Sequence, residues 1–225
     1  MWSINGALSL PDGRILSWAS ATISSLARGD DTLRDDTLRV WDAATGACRA
    51  VLEGHTGSVN GALPLPDGRV LSWSGDGTLR VWDAETGVCR AVPEGHMSYV
   101  NGALSLPDGR ILSWSGDGTL RVWDAATGAC CAALEGHMWS INGALSLPDG
   151  RILSWSDDTT LRLWDAGTGV CRAVLEGHTH HIRGALSLPD GRILSWSNDK
   201  TLRLWDAATV ICSTPSLLCV FRVMV

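Results

Sequence analysis

A 41-residue period runs through the chain and limits its fold more than any other feature. The dipeptide Trp-Asp recurs with its tryptophan at positions 41, 82, 123, 164 and 205. Gly-His recurs from Gly54, Gly95, Gly136 and Gly177 at the same spacing. Leu-Pro-Asp-Gly-Arg recurs from Leu10, Leu65, Leu106, Leu147 and Leu188. The first of these intervals is 55, so the first unit carries a 14-residue insertion. Near-copies at a fixed period mean one small unit stacked on its like, burying together a core that none could bury alone.

The signals inside one unit are all β. In residues 54–94, "SVNGALPL" reads as a strand and "PDG" as a turn, then "RVLSWS" as a strand and "GDG" as a turn. "TLRVWD" is a third strand, "AETG" a turn and "VCRAVP" a fourth strand. Short β-prone runs bounded by Gly, Pro and Asp are the hairpin signature. Helical repeats of similar period need long stretches of 3.6-residue periodicity, and none is present. Asn60-Gly61 resembles a hairpin turn, but the flanking pattern demands a continuous strand there.

With GH, PDG, an Asp two residues before Thr and a closing WD in register, the chain resembles the WD-repeat β-propeller family over nearly its whole length. The resemblance implies an all-β propeller of four-stranded antiparallel blades. Five units give five blades, at about 1–53, 54–94, 95–135, 136–176 and 177–212, with the insertion at about 19–32. They form one domain over 1–212, followed by a divergent apolar tail over 213–225. Members of this family usually close with more blades than five, so an incomplete or open ring is expected. Such an arc would expose an apolar blade face at each end and favour self-association. A segment of a longer propeller, or a truncated product, fits the same pattern.

The resemblance also implies a buried hydrogen-bonded tetrad in each blade. Mapped by motif, the sets are His55, Ser72, Asp76 and Trp82; His96, Ser113, Asp117 and Trp123; His137, Ser154, Asp158 and Trp164; and His178, Ser195, Asp199 and Trp205. The first unit has no tetrad His, and its insertion puts Asp31 where the Ser would stand. A His/Ser/Asp set suggests a catalytic triad, but four equivalent copies with a mid-strand Ser argue for a structural role.

A second tryptophan sits in every "LSWS" or "LSWA" stretch. Pairing the first two strands across Pro66-Asp67-Gly68 sets Gly61 opposite Trp73. The same pairing sets Gly6 opposite Trp18, Gly102 opposite Trp114, Gly143 opposite Trp155 and Gly184 opposite Trp196. A large ring over a cross-strand glycine supports an otherwise weak position, so these tryptophans are read as packing between blades.

Where the copies differ is informative. After each GH come "TGS", "MSY", "MWS" and "THH", and around the tetrad Asp come "GDG", "GDG", "DDT" and "NDK". In the propeller fold both loops emerge on one face, so variation concentrates on one rim, as when a rigid scaffold presents binding loops. Tyr99, Trp139, His180, His181, Asn198 and Lys200 are the candidate partner contacts.

Other features narrow the function. The formal net charge is −6, so a nucleic-acid footprint is absent. No cysteine pair has metal-ligand spacing, and "HTHH" at 178–181 offers only two adjacent His beyond the tetrad, so neither a metal nor a cofactor is expected. "MWSINGALSLPDGR" is not a signal peptide, and the apolar end is short for a membrane helix and holds Pro215 and Arg222. No membrane role is expected, and the cytoplasm is the default compartment. Arg28-Gly29-Asp30 inside the insertion is read as a chance match. The reading that follows is a non-enzymatic interaction scaffold that binds a protein or peptide on its loop face. The alternative is a truncated sensor or regulatory segment of a larger multidomain signalling protein.

Overall fold

The computed structural model describes residues 2–21, 36–206 and 219–221. They form five four-stranded sheets. The first holds β1 (Trp2–Ser9), β2 (Ile15–Ala21), β3 (Leu38–Trp41) and β4 (Cys48–Leu52). The second holds β5 (Val59–Pro64), β6 (Val70–Ser74), β7 (Leu79–Trp82) and β8 (Cys89–Ala91). The third holds β9 (Val100–Ser105), β10 (Ile111–Ser115), β11 (Leu120–Trp123) and β12 (Cys130–Leu134). The fourth holds β13 (Ile141–Ser146), β14 (Arg151–Ser156), β15 (Leu161–Asp165) and β16 (Cys171–Leu175). The fifth holds β17 (Ile182–Ser187), β18 (Arg192–Ser197), β19 (Leu202–Asp206) and β20 (Cys219–Phe221). Spatial order follows chain order in every sheet. The chain divides into two compact units, Met1–Ile111 with Trp123–Cys130, and Leu112–Val122 with Cys131–Val225.

The turns explain the meander. In the second sheet Leu65 N–H donates to Arg69 O at 2.8 Å and Gly68 N–H to Leu65 O at 3.1 Å. Gly68 takes a φ of +85°, which a side chain would resist although the space beside it is open. After β7, Asp83 caps the next turn by accepting from Glu85 N–H at 3.1 Å and Thr86 N–H at 3.0 Å. The register agrees with the sequence pairing: Leu63 faces Leu71 and Gly61 faces Trp73. A bulge between Val59 and Gly61 interrupts that pairing. Asn60-Gly61 lies inside β5, and Asn60 Nδ2 donates to Val100 O of the next sheet at 2.9 Å.

Alternation along β6 sends Leu71 and Trp73 to one face, and Val70, Ser72 and Ser74 to the other. The first is called the trailing face and the second the leading face. In unit 1 the trailing face of the second sheet, with Leu71, Leu79 and Val81, clusters with Val100, Ala103, Ile111 and Trp123 of the third. The first and second sheets join in the same way, through Leu16, Leu38 and Val40 against Val59, Val70 and Trp82. In unit 2 the fourth and fifth sheets repeat it, with Leu153, Leu161 and Leu163 against Ile182, Ile193 and Trp205. Partly buried Trp18, Trp73 and Trp155 pack against these three clusters, the place that the sequence assigned them between blades.

Two local readings need correction. Asp31 and Arg28-Gly29-Asp30 lie outside the described residues, but the serine place of the first sheet belongs to Ser17. Trp41 Nε1 donates to Ser17 Oγ at 2.8 Å. Ser17 pairs with Arg39 as Ser72 pairs with Arg80, because the insertion enters only after β2. In the fifth sheet the outer strand comes from the stretch read as a divergent tail. Phe221, Val220 and Cys219 pair with Leu202, Arg203 and Leu204, where the fourth sheet uses Leu175, Val174 and Ala173 against its own third strand. An outer strand asks only for β-prone residues at the right spacing, and Cys-Val-Phe supplies them.

Candidate functional site

Three of the four tetrads are described in full. In the second sheet Trp82 Nε1 donates to Ser72 Oγ at 2.8 Å, His55 Nε2 lies 2.8 Å from Ser72 Oγ, and His55 Nδ1 lies 2.9 Å from Asp76 Oδ2. The fourth sheet repeats this with Trp164, Ser154, His137 and Asp158 at 2.8, 2.8 and 2.7 Å. The fifth repeats it with Trp205, Ser195, His178 and Asp199 at the same three distances. In the third, His96 and Trp123 stand edge to face at 6.0 Å, as His55 and Trp82 do at 6.1 Å, and Ser113 is fully buried. Asp117 accepts from Thr119 N–H at 2.9 Å and Thr119 Oγ1–H at 2.8 Å.

Valence fixes the proton positions. A carboxylate only accepts, so the imidazole Nδ1 carries the hydrogen, and Nε2 then accepts from the serine hydroxyl. The serine oxygen in turn accepts from the indole. One neutral imidazole therefore links the indole, hydroxyl and carboxylate of its tetrad with donors and acceptors matched. Burial holds His137 and His178 below the usual imidazole value, against the opposing pull of Asp158 and Asp199. Burial by itself would raise Asp76, Asp158 and Asp199, but hydrogen bonds from the imidazoles, threonine hydroxyls and backbone N–H groups outweigh it and hold all three well below the carboxylate range. Each Ser hydroxyl is fully buried and committed, which leaves no exposed nucleophile in these sets.

The loop after GH and the loop holding the tetrad Asp are laced together. Met138 N–H and Thr179 N–H donate to Asp158 Oδ2 and Asp199 Oδ2, both at 3.0 Å. Asp157 N–H and Asn198 N–H donate to Ser140 O and His181 O, again at 3.0 Å. The third residue of the Asp loop is left-handed in the second to fifth blades: Gly77 and Gly118 at φ +83° and +80°, then Thr159 and Lys200 at +72° and +64°. Glycine accepts this conformation freely, whereas Thr and Lys hold it under strain.

The predicted contact residues fall into two groups. In unit 1, Tyr99 is 47% exposed. In unit 2, Trp139 is 62% exposed, and its ring stands 6.4 Å from that of His181. Both line a cleft of about 490 Å³ with Met138, Asp157, Thr159 and His180. His181 Nδ1 is 2.8 Å from Asp157 Oδ1 but not aligned on it as a hydrogen bond. Asn142 Nδ2 does reach that oxygen, at 2.7 Å. Asn198 and Lys200 are exposed at the edge of the same unit, and Asn198 Oδ1 accepts from Arg183 Nε at 2.9 Å. Met97 and Met138, 89% and 81% exposed, escaped the sequence reading although each directly follows a GH. Asp157 escaped it too; its signal was the change from Gly-Asp-Gly to Asp-Asp-Thr.

Four-stranded repeats with GH at one loop, WD at the end of the third strand and a Trp/Ser/His/Asp chain between them define a WD-repeat blade. The chain belongs to the WD40 family: the family model "WD domain, G-beta repeat" matches residues 46–83, 87–124, 128–165 and 169–206. The structure is similar to the WD40 β-propeller domain of Doa1, with a TM-score of 0.66 and 25% identity, over 92% of this chain and 65% of that one. It is also similar to the computationally designed protein Ika8, with a TM-score of 0.75 and 26% identity, over 96% of this chain and 60% of that one. The fold is thus an all-β propeller of five blades. In sequence, the chain is similar to nuclear distribution protein PAC1 of Arthroderma benhamiae, 51% identical over 43 residues that make up 19% of this chain and 9% of the relative. PAC1-2 of Uncinocarpus reesii is 47% identical over 62 residues, or 28% and 14%. Each match spans only a small part of the relative's length. Among the described residues no helix is long and apolar enough to cross a membrane.

Proposed function

We propose that the chain is a non-enzymatic protein-interaction scaffold that binds a protein or peptide on the rim formed by the GH and Asp loops. The observation that carries this reading is the exposure of large apolar side chains at the GH loops, which vary from one repeat to the next. Met138 and Trp139 are 81% and 62% exposed beside a cleft, on blades whose interiors are near-copies. Exposed aromatic and thioether groups cost solvation unless a partner covers them, and such groups anchor interfaces. Trp139, His180, His181, Asn198 and Lys200 are the proposed contacts in one unit, and Tyr99 in the other. The tetrads serve as framework, since their hydroxyls and imidazoles are spent on one another. Exposed Cys48, Cys130 and Cys131 stand outside any disulfide, which fits a reducing compartment such as the cytoplasm.

The test uses a random peptide library displayed on phage, selected on the immobilised full chain. Selected peptides are expected to lose at least tenfold in affinity for Trp139→Ala or Tyr99→Ala, with the melting temperature unchanged. Peptides that bind both variants as tightly as the parent would overturn the reading.

A further inference from the structure

Ile4 is 73% exposed, yet the residue in its place on every later blade is fully buried. Val59, Val100, Ile141 and Ile182 each have no exposed surface. Val59, Val100 and Ile182 are seen to sit on the trailing face of the blade before them. The rest of the leading face agrees. Ile15 is 38% exposed where Val70, Ile111, Ile152 and Ile193 are buried, and Trp41 is half-buried where Trp82, Trp123 and Trp164 are fully covered. The first blade thus presents, uncovered, the side chains that elsewhere plug a neighbouring blade.

The fifth blade shows the complementary half. Leu194, Leu202 and Leu204 are half-buried, while Leu153, Leu161 and Leu163 in the fourth blade are fully buried against the fifth. Trp196 and Leu186 are each 39% exposed. This partly exposed trailing face carries the same residue types that receive a leading face in the other joints.

We infer that a second copy of this chain docks here, the leading face of its first blade on the trailing face of the fifth. The occupant is identified by the repeat itself. Residues 1–18 duplicate residues 138–155, so the first blade offers the same first two strands as the fourth, ending in the same LSW. A partner of any other sequence would have to reproduce that knob pattern, and a copy of the chain already has it. The contact is heterologous, one face from each end of the chain, so a copy that uses one face keeps the other free. The joint is weaker than those inside the chain. Asn5 and Asn142 donate to the next blade's Val59 O and Ile182 O at 3.3 and 2.9 Å, but Arg183 stands in that place on the fifth blade and turns to Asn198. Apolar burial carries the contact without that hydrogen bond.

Sedimentation velocity of the full chain across micromolar concentrations tests this. The mass is expected to grow with concentration. Ile4→Asp and Leu186→Asp, both at exposed positions, are each expected to stay monomeric with an unchanged circular dichroism spectrum. Mixing the two variants leaves one intact face on each, so a one-to-one pair and nothing larger is expected. Should Leu186→Asp fail to fold, Leu186→Ser takes its place. A parent chain that stays monomeric, a variant that still associates by itself, or a mixture that forms no pair would each overturn the inference.

Discussion

Trp73 lays its indole across Gly61 of the neighbouring strand, so closely that a β-carbon there would stand 2.6 Å from Cε2. The same relation joins Trp18 to Gly6, Trp155 to Gly143 and Trp196 to Gly184. The ring fills the space that a side chain would occupy, and the glycine at that point is required for closeness, not for backbone conformation. Gly61→Ala is therefore expected to destabilise the protein by about 1–3 kcal/mol by overpacking, although alanine is no worse than glycine in a strand. Adding Trp73→Leu should restore part of that loss. Urea unfolding of the two single variants and the double variant measures the coupling.

Trp73 and Trp82 are the same residue type nine positions apart with opposite polar fates. Trp82 Nε1 reaches Ser72 Oγ at 2.8 Å, whereas the Nε1 atoms of Trp73, Trp18 and Trp155 are buried with no acceptor among the described residues. Trp82→Phe leaves Ser72 and His55 with a broken chain of hydrogen bonds and is expected to cost about 1–3 kcal/mol beyond the lost area. Trp73→Phe removes an unpaired buried donor and is expected to fall within about 1 kcal/mol of the parent. Equilibrium unfolding of the two variants side by side gives the difference.

Stability should fall as the solution is made acidic, in two stages. His137 and His178 have lowered values in the folded chain against 6.5 for the free group, so below that pH the unfolded chain binds protons that the folded chain refuses. Asp76, Asp158 and Asp199 are lowered from 3.8, so a second loss begins as the pH falls through that value. In both cases the unfolded state takes up more protons, and the free energy of unfolding rises with pH. Urea midpoints are expected to be level above neutrality, lower near pH 5.5 and lowest near pH 3.5. His137→Gln should be less stable at neutrality and flatter across the first stage.

The repeat makes most of the scaffold legible in the sequence. Equal spacing of GH, PDG and WD named the blade, and the turn residues fixed the strand register down to the glycine opposite each tryptophan. The tetrads were legible because four copies place the same four residue types at the same offsets. The motif spacing points to Asp31 because it runs through the insertion, whereas strand pairing ignores chain length between paired strands and sets Ser17 under Trp41. The outer strand at Cys219–Phe221 is not legible in the sequence because outer strands carry little pattern of their own.

By itself, then, the sequence determined what recurs: the strand and turn pattern of the regular units and the tetrad partners seen in the second, fourth and fifth sheets, all governed by contacts within one unit. The tertiary structure decided what differs between units. Val59 and Ile4 are equivalent by repeat, and only the packing of blades leaves one with no exposed surface and the other 73% exposed. Trp139 and His181 sit 42 residues apart on different blades, and only the stacking of sheets brings their rings to 6.4 Å. A periodic sequence specifies each unit alike, so the exposure that distinguishes one copy from another arises from what lies beside it.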